Sequence, residues 1–287
     1  MKKVLCVTFI LFLTMVCSFA QPHQLPNLTP PTIGTGGKIL SDFGYHIDFG
    51  EKVFDNDGDR EDTDISSTNG NFYFNGKYTV HPKFDAFAEL NLVHRSQSNG
   101  FDRSSFGLGD IFIGANTQIQ YGIIQVYLEL PLGTSELKDD IDHDDMPTGG
   151  TIYAPYGGTY NLGANFYYKY QKLNLKAGYE MTLGREFHDT DAKVNPGDCL
   201  SFGVNYETAY QKYIVGGTFE GFFIGKVKFD GDTVDDSNMR RFDLTGYIYP
   251  QLTKYNEVIA LTIPLFGLNH STNMMFWINL SMPISIK

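Results

Sequence analysis

The chain has 287 residues, with 22 lysines and arginines against 33 aspartates and glutamates, a net charge of −11. So acidic a chain, with no basic patch, is excluded from nucleic-acid binding on electrostatic grounds. Its three cysteines, two of them within the first seventeen residues, exclude a small disulfide-stapled domain.

The first segment sets the compartment. Lys2 and Lys3 precede an apolar run from Val4 to Val16, and Ser18-Phe19-Ala20 supplies small residues before Gln21. This is the layout of a secretory signal peptide over 1–20, cleaved near Ala20, and the run is too short to span a bilayer as a helix. The large residues Thr14, Met15 and Val16 before Cys17 argue against lipidation there. Cleavage leaves 20 basic against 33 acidic residues and one cysteine, Cys199, so stability must come from a large sheet or from a membrane. Residues 21–36, "QPHQLPNLTPPTIGTG", hold four prolines and no periodicity; they read as an irregular leader, a plug or a periplasmic tail.

From Gly37 to the end, one strand pattern follows another, so 37–287 reads as a single domain. Period-two alternation marks strands near 37–54, 67–80, 84–97, 105–120, 123–134, 158–170, 173–186, 198–209, 213–229, 239–252, 257–267 and 273–286. The stretch "DIFIGANTQIQYGIIQVYLELPLG" (110–133) shows the beat best. Its Ile, Val and Leu residues alternate with Asn116, Gln118, Gln125 and Glu129 on both sides of Tyr121-Gly122. A two-residue turn there pairs Gln120 with Ile123, which sets Gly114 against Glu129 and Phe112 against Pro131.

Every second connection is short: around His81-Pro82-Lys83, Tyr121-Gly122, Gln171-Lys172, Tyr210-Gln211-Lys212, and from Thr253 to Asn256. The others are mostly long and acidic, at 55–64, 135–158, 187–198 and 230–238. Tyr78, Tyr121, Tyr168, Tyr170, Tyr210, Tyr213, Tyr249 and Tyr255 cluster by the short turns. Short turns at one end, long loops at the other and an aromatic girdle are the marks of an all-β, antiparallel transmembrane barrel of about twelve strands. A secreted β-sandwich also alternates, but it has no need of tight turns in every second position. In lipid the sheet must close, because every backbone donor and acceptor needs a protein partner.

Parity sends Asp48, Lys77, Glu89, Arg95, Asp110, Glu129, Lys169, Lys176, Glu180, Glu207, Glu220, Lys226, Lys228 and Asp243 into the lumen. Phe112 and Tyr127 join Glu129 as candidate solute contacts, while a structural network of ion pairs and hydrogen bonds is the plainer reading of any one of the charged residues. Pro131 and Pro264 lack an N–H and are candidate wall defects near the large-loop rim. Gly107-Leu108-Gly109-Asp110, a short strand, a tight turn and Leu130-Pro131-Leu132-Gly133 resemble the outer-membrane barrels of the "MetA-pathway of phenol degradation" type, grouped with the long-chain fatty-acid transporter superfamily. The resemblance implies passage of small hydrophobic or aromatic compounds and supplies no catalytic residues.

Asp55, Asp57 and Asp59 have the spacing that opens an EF-hand loop, but Arg60 replaces its glycine, so a solvated acidic loop is the plainer reading. The Asp139–Asp145 cluster fits no metal template either, and no cofactor is expected. His143-Asp144, His188-Asp189 and His270-Ser271 are the only hints of a rim hydrolase, without any protease or lipase signature. The sequence therefore predicts an outer-membrane channel for small, apolar molecules in a Gram-negative-type envelope. Lipid, lipopolysaccharide, a small apolar solute and the barrel-assembly machinery are its expected partners. A closed barrel acting as an adhesion or structural surface is the alternative.

Overall fold

The computed structural model describes residues 39–55, 57–98, 102–132, 160–183, 185–186, 193–195, 197–250, 256–271 and 274–284. Twelve antiparallel strands form the wall. They are β1 (Ile39–Phe54), β2 (Arg60–His81), β3 (Phe84–Ser98), β4 in two pieces (Asp102–Leu108 and Ile111–Ile119), β5 (Gly122–Leu130) and β6 (Asn161–Tyr170). β7 (Leu173–Thr182), β8 (Cys199–Tyr210), β9 (Tyr213–Ile224), β10 (Met239–Tyr249), β11 (Asn256–Leu268) and β12 (Met274–Ile284) follow. Each strand pairs with the next, and β1 pairs with both β2 and β12, so the sheet closes as a barrel. No helix among the described residues is long and apolar enough to cross a membrane, and the barrel crosses with strands.

Alternation fixes which face meets what. Phe72 is 52 % exposed and Ile278 47 %, and Phe74, Leu90, Leu92, Ile113, Val126, Leu162, Leu175 and Leu261 share that outer face. Their strand neighbours of opposite parity, among them Asn71, Asn91, Asn116, Asn165, Asn205 and Thr245, are buried. A polar interior inside a continuous apolar surface inverts a water-soluble protein and suits a wall solvated by lipid.

The tight turns lie together at one end. Pro82-Lys83, Gln120-Tyr121, Gln171-Lys172 and Gln211-Lys212 each join neighbouring strands. Gln171 and Gln211 adopt φ of 53°, the left-handed backbone that two-residue hairpin turns favour. Tyr78, Tyr121, Tyr170 and Tyr210 are exposed beside these turns; Tyr255 lies outside the described residues. The opposite rim is uneven. β1, β2 and β3 run 16, 22 and 15 residues, against 9, 10 and 10 for β5, β6 and β7. About ten residues suffice to cross a bilayer, so the β1–β3 side stands as a tall wall above the membrane.

Several boundaries differ from the alternation pattern. β2 begins at Arg60, seven residues early, so the first acidic loop shrinks to a turn at Asp55–Asp59. The stretch 105–120 breaks at Gly109-Asp110, and β9 ends at Ile224 rather than near 229. Beyond it, Lys228–Phe229 and Asp232–Thr233 pair in a separate small sheet with Arg185–Glu186 and Lys193–Asn195. The hairpin β4–β5 turns at Gln120-Tyr121, pairing Ile119 with Gly122, so Gly114 faces Tyr127 and Phe112 faces Glu129. The expected register is thus wrong by two residues, which preserves every side chain's face. Gly122 is not a turn residue: a Cβ there would lie 2.0 Å from the Tyr167 carbonyl oxygen, so glycine serves the close approach of β6.

Candidate functional site

The interior is built from rows of paired positions that run from strand to strand. One row joins Asp42, Asn75, Glu89, Phe112, Glu129, Asn161 and Thr182 across β1 to β7. A second joins Tyr167, Lys176, Gly203, Glu220, Asp243 and Pro264 across β6 to β11. Each row places its members on the inner face, because cross-strand partners share a face.

Glycines let these rows contract. Strands two apart are separated by about 10 Å, beyond the reach of most side-chain pairs. Tyr127 on β5 lies flat over Gly163 on β6, where a Cβ would stand 2.1 Å from its ring, and its hydroxyl donates to Glu180 on β7 at 2.5 Å. Tyr247 on β10 lies over Gly216 on β9 in the same way, and its hydroxyl reaches Glu207 on β8 at 3.2 Å. The Lys176–Glu220 ion pair, 3.6 Å long, spans β7 to β9 above Gly203. Tyr73 on β2 covers Gly44 on β1, with Asn279 of β12 beyond it. Among the described residues, neither the Tyr73 hydroxyl nor Asn279 Oδ1 has a hydrogen-bond partner. Periodicity could mark these glycines as inward, but only register shows which aromatic ring fills each gap.

The charges are held in two ways. Lys77 pairs with Asp85 at 3.8 Å, Lys176 with Glu220, and Arg241 Nε with Asp243 Oδ1 at 2.6 Å. Other carboxylates take neutral donors: Asn75 Nδ2 bonds Glu89 at 3.3 Å, and Asn161 Nδ2 bonds Glu129 at 2.5 Å. Asp110 stands within hydrogen-bonding reach of Glu129, and Glu180 is close by. Asn116, Gln125, Asn165 and Tyr167 continue the network toward the tight-turn end. A cavity of about 10 Å³, room for one water, lies among Tyr167, Asn174, Lys176, Asn205, Thr218 and Glu220.

Of the sequence-selected residues, the structure brings Asp110, Phe112, Tyr127, Glu129 and Glu180 together, and sets Glu89 and Lys176–Glu220 on either side. Arg95 pairs through its backbone with Asn69 and Ser105. Lys169 is exposed beside its turn, and Lys226 and Lys228 are exposed beyond the end of β9, so none of the three lines the interior. Sequence reasoning missed Arg241, 1 % exposed, and Asp85, although the parity that selects Asp243 and Glu89 selects them too. It also missed two apolar clusters. Tyr247, Val258, Ala260 and Trp277 pack inside the lower wall, with the His46 ring 4.3 Å from Trp277. Cys199, Ile224, Val227 and Met239 form a buried cluster where β8, β9 and β10 meet the loop end, and Asn269 Nδ2 bonds the Asp236 and Asn238 carbonyls beside it.

The two prolines sit in different surroundings. The β4–β5 ladder ends at Ile111↔Leu130, one residue short of Pro131. Asp102–Leu108 of β4 pairs with β3, in the register Leu92↔Leu108 to Ser98↔Asp102. Pro264 lies within the β10–β11 ladder opposite Asp243, beside a bulge at Leu265, and above the last β11–β12 pair, Thr262↔Met275. Arg60 Nη2 donates to the Pro264 carbonyl at 2.8 Å and reaches that of Leu265 at 3.4 Å.

Asp55 Oδ1 accepts the Asp57 and Asp59 backbone N–H groups at 2.9 and 2.8 Å, so this carboxylate shapes its own turn. No group of three or more potential metal ligands gathers among the described residues. His270-Ser271 pairs with Val53-Phe54. His143, His188, the Asp139–Asp145 cluster, residues 1–36 and Gly133 lie outside the described residues.

No protein family and no curated protein matches the sequence. Solved structures do. The COG4313 outer membrane channel from Pseudomonas putida F1 superposes with a TM-score of 0.67 at 13% identity, covering 89% of this chain and 99% of that one. The translocator domain of the autotransporter NalP from Neisseria meningitidis gives 0.56 at 11% identity, covering 94% and 92%. A channel and a translocator share this architecture, so the likeness speaks to fold and not to task. The chain has the fold of an outer-membrane β-barrel.

Proposed function

We propose that this protein is an outer-membrane channel for small, predominantly apolar or aromatic molecules, with its tight turns in the periplasm. The observation that carries this reading is the grouping of Phe112 and Tyr127 beside Glu129 on the inner face of a barrel whose outer face is apolar. Solute enters among the acidic loops, meets those two rings, whose centroids are 6.2 Å apart, and leaves downward or sideways into lipid. The hairpin motif shared with the phenol-degradation barrels and the fold of a channel neighbour support the reading. Lipid, lipopolysaccharide and the assembly machinery are its partners, the signal peptide is removed near Ala20, and residues 21–36 act as plug or tail. The same barrel needs no hydrolase at its rim.

The buried apolar cluster of Cys199, Ile224, Val227 and Met239 at the loop end favours a second reading, a closed barrel whose loops are its working surface. Liposome swelling with purified protein separates the two. Passage of small neutral aromatics, slowed several-fold by Pro131→Val (which restores an N–H to the ladder), supports the channel. Vesicles as tight as protein-free ones, toward aromatics and sugars alike, would establish the closed barrel.

A further inference from the structure

The outer face of β8 to β11 carries a cation among apolar side chains, and register fixes its neighbours. Leu200, Phe223, Arg240 and Leu268 are cross-strand partners in one row. Two residues nearer the tight turns, Phe202, Gly221, Phe242 and Phe266 make the next row, with Phe219 below them. Arg240 is exposed, whereas Arg241 beside it points inward to Asp243. Among the described residues, no carboxylate lies within 4 Å of the Arg240 guanidinium; Lys226 takes Asp235 instead.

The rings pave this surface. The Phe242 ring centroid lies 4.3 Å from that of Phe266, 5.5 Å from Phe223, 6.1 Å from Phe219 and 6.2 Å from Phe202. Gly221 lets them lie low, since a Cβ there would stand 2.5 Å from the Phe202 ring and 3.1 Å from that of Phe242. Four strands at the usual spacing make the patch roughly 14 Å wide, enough for several acyl chains side by side. Height matters as much. Arg240 is nine residues from Tyr249 at the tight-turn end of β10, roughly 23 Å along the barrel axis at the usual rise and tilt. The apolar band of such a barrel is about 25 Å tall. Arg240 therefore stands at the edge of the band away from the tight turns, where a lipid-facing charge costs little and lipid phosphates lie.

We propose that Arg240 and the five phenylalanines bind a phosphorylated, multi-acyl lipid of the outer leaflet, lipopolysaccharide, with a phosphate on the guanidinium and the chains on the rings. A guanidinium offers paired N–H donors to phosphate oxygens. This deepens the partner reading above by giving it a site; it rests on the tight turns facing the periplasm and not on solute passage. The test titrates full-length protein in detergent micelles with diphosphorylated lipid A, with its phosphatase-treated form and with inorganic phosphate, and counts bound lipid by native mass spectrometry. A single diphosphorylated lipid should be held about tenfold more tightly than the phosphate-free form, and inorganic phosphate should not displace it. Arg240→Gln should weaken it about tenfold, and Phe242→Leu about threefold. Equal affinity for the two lipids, displacement by inorganic phosphate, or indifference to either substitution overturns the site. So does a second copy of the chain on the patch, seen as lipid-free dimers that Phe242→Leu dissociates. Liposome swelling reads solute passage separately, so either reading can fail while the other stands. Because the wild-type preference for the phosphorylated lipid is itself decisive, a variant that fails to fold does not blunt the test.

Discussion

β7 carries two contacts made to one plan with opposite chemistry. Toward β5, Glu180 takes the Tyr127 hydroxyl across Gly163; toward β9, Lys176 takes Glu220 across Gly203. In both, a glycine between the partners lets them meet. The phenol needs the whole width of its glycine, since a Cβ would fall 2.1 Å from the ring, whereas at Gly203 a Cβ would come no nearer than 3.3 Å to Glu220 Cγ and 3.6 Å to Lys176 Cβ. The lesson is that one residue type in one position can be a rigid requirement or a convenience, depending on whether a ring or a flexible chain passes over it.

The largest effect should come from the ion pair. Lys176→Met leaves Glu220 buried without its cation and should cost about 3–5 kcal/mol in urea-unfolding titrations of the inserted barrel. Adding Glu220→Leu should recover most of it, and failure to recover would show that the pair is not an isolated unit. Gly163→Ala, which drives a methyl into the Tyr127 ring, should cost about 1–3 kcal/mol, while Gly203→Ala stays within about 1 kcal/mol. Equal costs at the two glycines would break the comparison. Tyr127→Phe keeps the ring and removes only the donor to Glu180, for about 1–2 kcal/mol. Gly216→Ala against Gly246→Ala repeats the contrast elsewhere, since nothing lies within 4 Å of a Cβ at Gly246.

The prolines divide along similar lines. Pro131 stands one residue past the last described pair of its ladder, and Pro264 where Arg60 reaches across to bond the Pro264 and Leu265 carbonyls. Arg60→Ala is the smallest change expected, about 1 kcal/mol of stability. On the channel reading it should nonetheless quicken solute passage in the swelling assay by opening a second seam. No change in rate would mean that the bulge at Leu265 seals that seam unaided.

Much of this was legible beforehand. The twelve strands, their inward and outward faces, and the separation of tight turns from long loops all follow from alternation, since a strand's side chains have a period of two. Glu89, Glu129, Glu180 and Glu220 were chosen by parity and stand on the inner face. The partners were not legible. Parity is blind to a slip of two residues, which is why Gly114 was set against Glu129 and proves to face Tyr127. Nor does parity report contacts that skip a strand, such as Tyr127 to Glu180 or Tyr247 to Glu207.

By itself, then, the sequence determined that this chain makes a closed apolar-out, polar-in wall, because the two-residue beat and the alternating link lengths admit few other architectures. Tertiary structure alone decided which glycine each tyrosine covers, which carboxylates meet a cation and which an amide or a phenol, and which proline lies inside a ladder. Those outcomes depend on the register and curvature of strands distant in sequence, and a barrel's curvature brings together side chains that no local pattern relates.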